Sequence, residues 1–347
     1  VKNWDAIIIG SGIIGLSLAR ELHKSSLKVL VLERGQPGRE ASHAAAGMLA
    51  DGAEIPPALR ELATLSARLY PEFAFEVHDE SGINPDLRDF GTIWIPGEQP
   101  LDVPSAALTQ SQLAEIEPAL SMQRHAAYLL KERSVDPRAL TEALWKAAKH
   151  REIDISTGVE ARTILTENGA ATGVQANKTE YHAKVIVNCA GAWAGEILPC
   201  PIPVRPVKGH MLSVIDGPKL KHVIRSSEVY LVPRSDGRIV IGSTLEEVGF
   251  DKRVDAEIIQ RLYRSAIELV PELKKARIHE SWAGLRPGTP DDLPILGKTE
   301  INGYFVASGH FRDGILLAPV TAQIMSQLIT DGKTDLDIAA FSPQRYS

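Results

Sequence analysis

The chain has 347 residues, 44% hydrophobic and 24% charged, with a formal net charge of −6. That composition describes a globular chain with core enough for one large domain or two ordinary ones, and its acidic balance excludes the basic face that nucleic-acid binding requires. Cys189 and Cys200 offer neither a disulfide framework nor a spaced metal site, so no metal is expected, and the absence of a secretory pattern or an apolar span predicts a cytoplasmic protein away from the membrane.

Ala6 to Ile9 reads as a buried strand, and Gly10, Gly12 and Gly15 then fill the fixed positions of GxGxxG at a strand-to-helix turn. The first glycine permits the tight turn, the second lets backbone approach a pyrophosphate, and the third lets helix and strand pack closely. From about Ile13 onward the N–H groups carry the positive end of the helix macrodipole toward the phosphates. A second strand, Lys28 to Leu32, ends in Glu33, 18 residues beyond Gly15, where a carboxylate can accept hydrogen bonds from a ribose diol. Together these predict a bound adenine dinucleotide, NAD or FAD; the alternative is a tight turn in an unliganded α/β sheet.

The loop that follows is rich in small residues, among them Ala41, Ser42, Ala44, Ala45, Ala46 and Gly47, which either let backbone approach a ligand or pack a helix start on the sheet. Leu59, Leu62, Leu65, Leu69, Phe73 and Val77 predict a helix over residues 56–80. Between Asp89 and Leu130 the runs GTIWIP and AAYLL are strand-like, with a helical stretch over Ser111 to Glu117. Helical periodicity returns with Pro137 in a first turn and Leu140, Leu144 and Ala148 on one face. A strand over Asp154 to Ser156 and a hairpin-like pair over Val159 to Val174 follow. KVIVNCAGAWA reads as a buried parallel strand opening on a crevice at Asn188, Cys189, Ala190 and Gly191, the alternative being another strand-to-turn junction. Strand signals dominate from Pro201 to Gly284, with a hairpin turn at Ser235, Asp236 and Gly237 and a helix over Asp255 to Leu269. A closing helix is expected from Gly314 to Thr330.

GSGIIG with Glu33, SHAAAGML, VNCAGAW, GLRPGTPDDLPILG and ASGHFRDGILLAP, in this order, resemble the D-amino-acid oxidase superfamily of flavoproteins, most of all its glycine oxidase branch of the thiamine-pathway type. The resemblance implies an α/β fold: a discontinuous Rossmann-like FAD-binding domain (1–88, 131–200, 285–347) and a substrate domain built on a large antiparallel sheet (89–130, 201–284). It implies non-covalent FAD, lined by Ile13, Ile14, Glu33, Arg34, Ala41, Ser42, Ala46, Gly47 and Met48. Val159 falls where the family uses a backbone contact to the adenine end. His310, Phe311, Arg312, Asp313, Gly314, Ile315 and Leu316 would pass beside the flavin ring, the N-terminus of the closing helix stabilising negative charge at the N1/C2=O edge. That predicts a raised flavin potential and sulfite binding at N5.

By the same resemblance Arg286 grips the substrate carboxylate, for which a forked guanidinium is suited; its alternative is an ion pair with Asp291 or Asp292. Tyr230 would assist it, and Arg312 matches a second arginine at the substrate mouth, although it could pair with Asp313. Where some relatives carry a histidine this chain has Glu228. The implied reaction is oxidative deamination of glycine or a small amino acid: hydride passes from Cα to flavin N5, the imine hydrolyses to a 2-oxo acid and ammonia, and O2 becomes H2O2. Sarcosine or broader D-amino-acid oxidation, dehydrogenation with another acceptor, an NAD enzyme and a non-catalytic flavin subunit remain the competing readings. Related oxidases are often homo-oligomers.

Overall fold

The structure is a computed structural model that describes residues 3–52, 54–97, 106–121 and 126–346; parts of the expected 89–130 segment lie outside the described residues.

Strands Ala6–Ile9, Val29–Glu33 and Val185–Asn188 are apolar apart from the terminal Glu33 and Asn188, a pattern suited to strands covered on both faces. They sit inside a six-stranded sheet ordered Ile295–Lys298, Tyr304–Ser308, Val185–Asn188, Ala6–Ile9, Val29–Glu33, Asp154–Thr157. Every pairing is parallel except the one at the Ile295–Lys298 edge. Alternation along Ala6–Ile9 sends Ala6 and Ile8 to a core shared with helices Ile13–Lys24, Arg60–Ser81, Pro137–His150 and Gly314–Thr330. Ile7 and Ile9 face the other way, onto the three-stranded meander Ala161–Glu167, Ala170–Ala176, Thr179–His182.

The second large sheet has seven strands, ordered Arg277–Gly288, Arg205–Ile215, Ile239–Gly242, Tyr230–Pro233, Val223–Ser226, Thr92–Ile95, Tyr128–Leu130. It departs from an all-antiparallel sheet at one place, where Val223–Ser226 runs parallel to Thr92–Ile95. Helices Ala256–Leu269 and Gln110–Ile116 cover one face, through Ile259, Leu262 and Leu113 against Leu212, Leu231 and Ile241. The opposite face presents Met211, Val232, Val240, Tyr230 and Trp282 toward Ala46 and Met48 of the first unit. Arg277–Gly288 runs through the expected boundary at 284/285 and so ties the two units together.

Helix ends follow their local chemistry. Asp136 caps Pro137–His150 by accepting from the Arg138 and Ala139 N–H groups, and Asp255 caps Ala256–Leu269 through Glu257 and Ile258. No described helix is long and apolar enough to cross a membrane.

Candidate active site

The carboxyl ends of Ala6–Ile9 and Val185–Asn188 open into a cavity of about 730 Å³ that extends to the face of the second sheet bearing Tyr230 and Arg286. A cavity outside the carboxyl ends of parallel strands is where an open α/β sheet binds its ligands. All the residues anticipated from the sequence line it except Gly15 and Leu316. Leu316 belongs to the core instead, because its place in the helix turns it toward Ala6 and Ile8. Gly15 acts from behind the wall: a Cβ there would lie 2.0 Å from the Gly10 carbonyl oxygen, so the helix could not sit this close to the turn. Gly10 has φ +100° and would bring a Cβ to 2.5 Å from the Cys189 carbonyl oxygen.

At the glycine-rich end, Glu33 is nearly buried and already engaged. One carboxylate oxygen accepts from the Ser11 N–H (2.9 Å) and hydroxyl (2.7 Å), the other from the Gly35 N–H (2.8 Å). A carboxylate offers about four lone-pair directions, so one remains for a ribose hydroxyl. The first helical N–H differs from the expectation that it faces phosphate: Ile13 donates to the Ser42 hydroxyl at 2.9 Å. Ser42 is therefore the helix-start partner, which sequence proximity could not reveal across 29 positions. Val159 lines the cavity, and its N–H donates to the Glu33 carbonyl (2.9 Å), which ties it to the end of the second strand.

Arg34 lies over the Trp193 ring, its guanidinium carbon 3.5 Å from the centroid, and Trp193 stacks on Phe250 at 5.2 Å. Glu40 accepts from both Arg34 (3.2 Å) and Lys252 (2.9 Å). These contacts bring residues 243–255 of the second unit across the cavity rim, a closure absent from the local sequence pattern.

At the far end Arg286 donates to the Thr244 carbonyl (3.0 Å) and the Ser243 hydroxyl (2.7 Å). Among the described residues no carboxylate pairs with it. Asp291 instead accepts from Arg345 and Tyr346, and Asp292 lies 4.0 Å from Arg205, so the ion-pair alternative for Arg286 is not realised. Burial holds the Arg286 pKa below its usual value, with Tyr230 opposing and Arg312 adding to the shift. Two of the five guanidinium N–H donors are taken by the named bonds, and the Tyr230 hydroxyl lies within hydrogen-bonding reach of the same group. Gly209 makes the seat: a Cβ there would stand 2.2 Å from Arg286 Nη1. Gly242 does the same beside Tyr230, whose hydroxyl donates to the Met211 sulfur at 3.2 Å. Arg312 is exposed and makes no ion pair with Asp313, its guanidinium lying 5.1 Å from the Phe311 ring centroid.

The closing helix starts at Gly314 on the cavity wall. His310 is buried beside it with Nε2 3.1 Å from the Thr321 hydroxyl, and burial lowers its pKa to about 3, so the ring is neutral. Burial pushes the Asp313 carboxyl up to about 6, against the pull of Arg312. Arg225 forms a buried bidentate pair with Glu132 on the same cavity (3.1 and 3.2 Å), a feature with no signal in the sequence because its partners lie 93 positions apart.

A glycine turn at the carboxyl ends of parallel strands and a guanidinium with no carboxylate partner among the described residues, on one cavity, fit the class of dinucleotide-dependent oxidoreductases. Within that class the chain belongs to the DAO family, described as FAD dependent oxidoreductase, whose model matches residues 5–328. The bifunctional protein ThiO/ThiG of Trichormus variabilis is 37% identical over 99% of this chain, and the match spans 55% of that relative. The chain thus spans about half the length of the first curated relatives it matches. Glycine oxidase of Pseudomonas aeruginosa is 32% identical over 97% of this chain and 98% of its own length. The crystal structure of glycine oxidase from Geobacillus kaustophilus is similar with a TM-score of 0.92, 31% identity and 99% coverage of each chain.

The residues present fit FAD, the cofactor of this family. The wall from Gly10 to Gly12 and from Ala44 to Gly47 presents backbone and small side chains to the cavity, and a Cβ added at Gly191 would meet nothing within 4 Å.

Proposed function

We propose that the protein is an FAD-dependent amino-acid oxidase of the glycine oxidase type, acting on glycine or a similarly small amino acid in the cytoplasm. In this reading residues 1–88, 131–200 and 285–347 hold FAD, and 89–130 and 201–284 build the substrate side. The observation that carries it is Arg286: a guanidinium seated on Gly209, fixed by Ser243 and Thr244, facing the cavity with no carboxylate partner among the described residues. Such a group calls for a carboxylate ligand. Likeness to glycine oxidases and to a ThiO/ThiG protein supports the choice of substrate and a role in thiamine synthesis.

When bound, non-covalent FAD supplies the capacity to take up a hydride and pass the electrons to O2. The chain supplies position. Arg286 and Tyr230 hold the carboxylate, Arg312 adds positive charge at the mouth, and Met211 limits the volume beside Tyr230. Glu33, Arg34 and the segments 41–48, 190–191 and 310–315 hold the dinucleotide. Orientation of the reacting carbon is then the main catalytic contribution of the protein.

The test is the absorption spectrum of the holoenzyme, recorded without oxygen before and after glycine, sarcosine and D-alanine. Bleaching by one of them, reversed by air with release of H2O2, is the expected result. A flavin that none of them bleaches would overturn the substrate class.

A further inference from the structure

The strand Arg205–Ile215 carries two different devices on its two faces. Gly209 lies under the Arg286 guanidinium on the cavity side, and His210, the next residue, points to the other side with no solvent exposure. The His210 ring bridges the two ends of the 243–255 segment. Its Nε2 accepts from the Asp255 backbone N–H at 3.0 Å. A backbone N–H can only donate, so the ring proton sits on Nδ1, which faces Glu246 Oε1 at 2.8 Å and Thr244 Oγ1 at 3.2 Å. Thr244 joins both faces: its hydroxyl accepts from the His210 N–H (3.0 Å) and its carbonyl accepts from Arg286 Nη1 (3.0 Å).

Regular pairing with the neighbouring strand stops at Met211↔Gly242, and the bridge Lys208↔Glu246 resumes beyond it. Residues 243–245 between them are therefore held by side chains rather than by a sheet ladder. Burial pushes the Glu246 carboxyl up, yet hydrogen bonds from Thr244 and His210 hold it below its usual range, as a fixed acceptor at the centre of the clamp.

We propose that His210 is a positioning residue for substrate binding: by clamping Thr244, Glu246 and Asp255 it fixes the two acceptors, Ser243 Oγ and Thr244 O, that aim the Arg286 fork into the cavity. The proposal rests on the carboxylate role of Arg286 given above. Loss of the ring frees the 243–245 turn, and the fork loses its aim without losing its charge.

The experiment uses holoenzyme, with acetate as a carboxylate probe read from the flavin spectrum and glycine as substrate. His210→Ala should weaken acetate binding and raise the glycine KM about tenfold or more, with kcat and FAD affinity within about threefold of the parent. His210→Gln, which keeps a donor and an acceptor, should recover most of the loss. In an Arg286→Ala background the His210→Ala effect should fall to about twofold or less, because the two act as one unit. Unchanged acetate affinity in His210→Ala, an equal loss without Arg286, or parallel falls in kcat and FAD affinity would each overturn the proposal. Should His210→Ala not fold, Thr244→Val removes the hydroxyl bonds alone and is read the same way. An Arg286→Ala enzyme that binds acetate as well as the parent would instead remove the carboxylate reading itself.

Discussion

Arg286 is the residue on which the chemistry turns. Its guanidinium is desolvated and held by neutral partners, and in the proposed reading a substrate carboxylate would supply the counter-charge. Arg286→Ala should raise the KM for amino acids on the order of 10²-fold, the loss of a charge-assisted contact of about 3 kcal/mol; steady-state kinetics would show it, and an unchanged KM would remove Arg286 from this role. Asp313 and His310 govern stability against pH with opposite signs. Asp313 has its folded pKa raised to about 6, so the folded state binds the extra proton, and stability falls as pH rises from the ordinary carboxyl value through 6. His310 is held near 3, so its contribution is complete above about 6.5 and is lost as pH falls toward 3. Asp313→Asn should therefore stabilise the apoprotein above pH 6, on the order of 2 kcal/mol, with little gain at pH 4. Thermal melts at the two pH values test this; equal shifts at both would refute the assignment.

Among the elements, the helices behind the first sheet are tied by charge as well as by their apolar faces. Glu80, in Arg60–Ser81, accepts from Arg20 of Ile13–Lys24 and from Arg151 at the end of Pro137–His150. Burial pushes Glu80 up, yet these bonds hold it down to about 2, and Arg20 itself is only 2% exposed. Glu80→Ala leaves that buried cation short of its main partner and should cost roughly 3 kcal/mol. Chemical denaturation would report it, and a cost below about 1 kcal/mol would show that Glu76 and Glu21 suffice. The helices themselves were legible in the sequence, because spacing of three and four and Pro137 at a first turn are local signals. The Arg20 cluster was not, since its members lie 60 and 71 positions from one another.

For the whole molecule, the cavity lies where the carboxyl ends of the first sheet meet the apolar face of the second, so a ligand that fills it would contact both units. Binding of FAD should therefore raise the melting temperature of residues 1–347 in one transition. At a hundredfold excess over Kd the linkage amounts to about 2.7 kcal/mol; two transitions, only one of them moved by FAD, would contradict a shared cofactor site. What the sequence determined by itself was the chemistry of short stretches: the glycine turn and the acid at Glu33 are revealed by sterics and residue type, while the GLRPGT arginine is singled out only by the family resemblance its motif carries. Tertiary structure alone decided the rest. Ser42 meets Ile13, Trp193 meets Arg34, and Gly209, Ser243 and Thr244 meet Arg286 through strand register and loop closure. Such contacts depend on which strands pair and how far each slides, and no local pattern of residues encodes that.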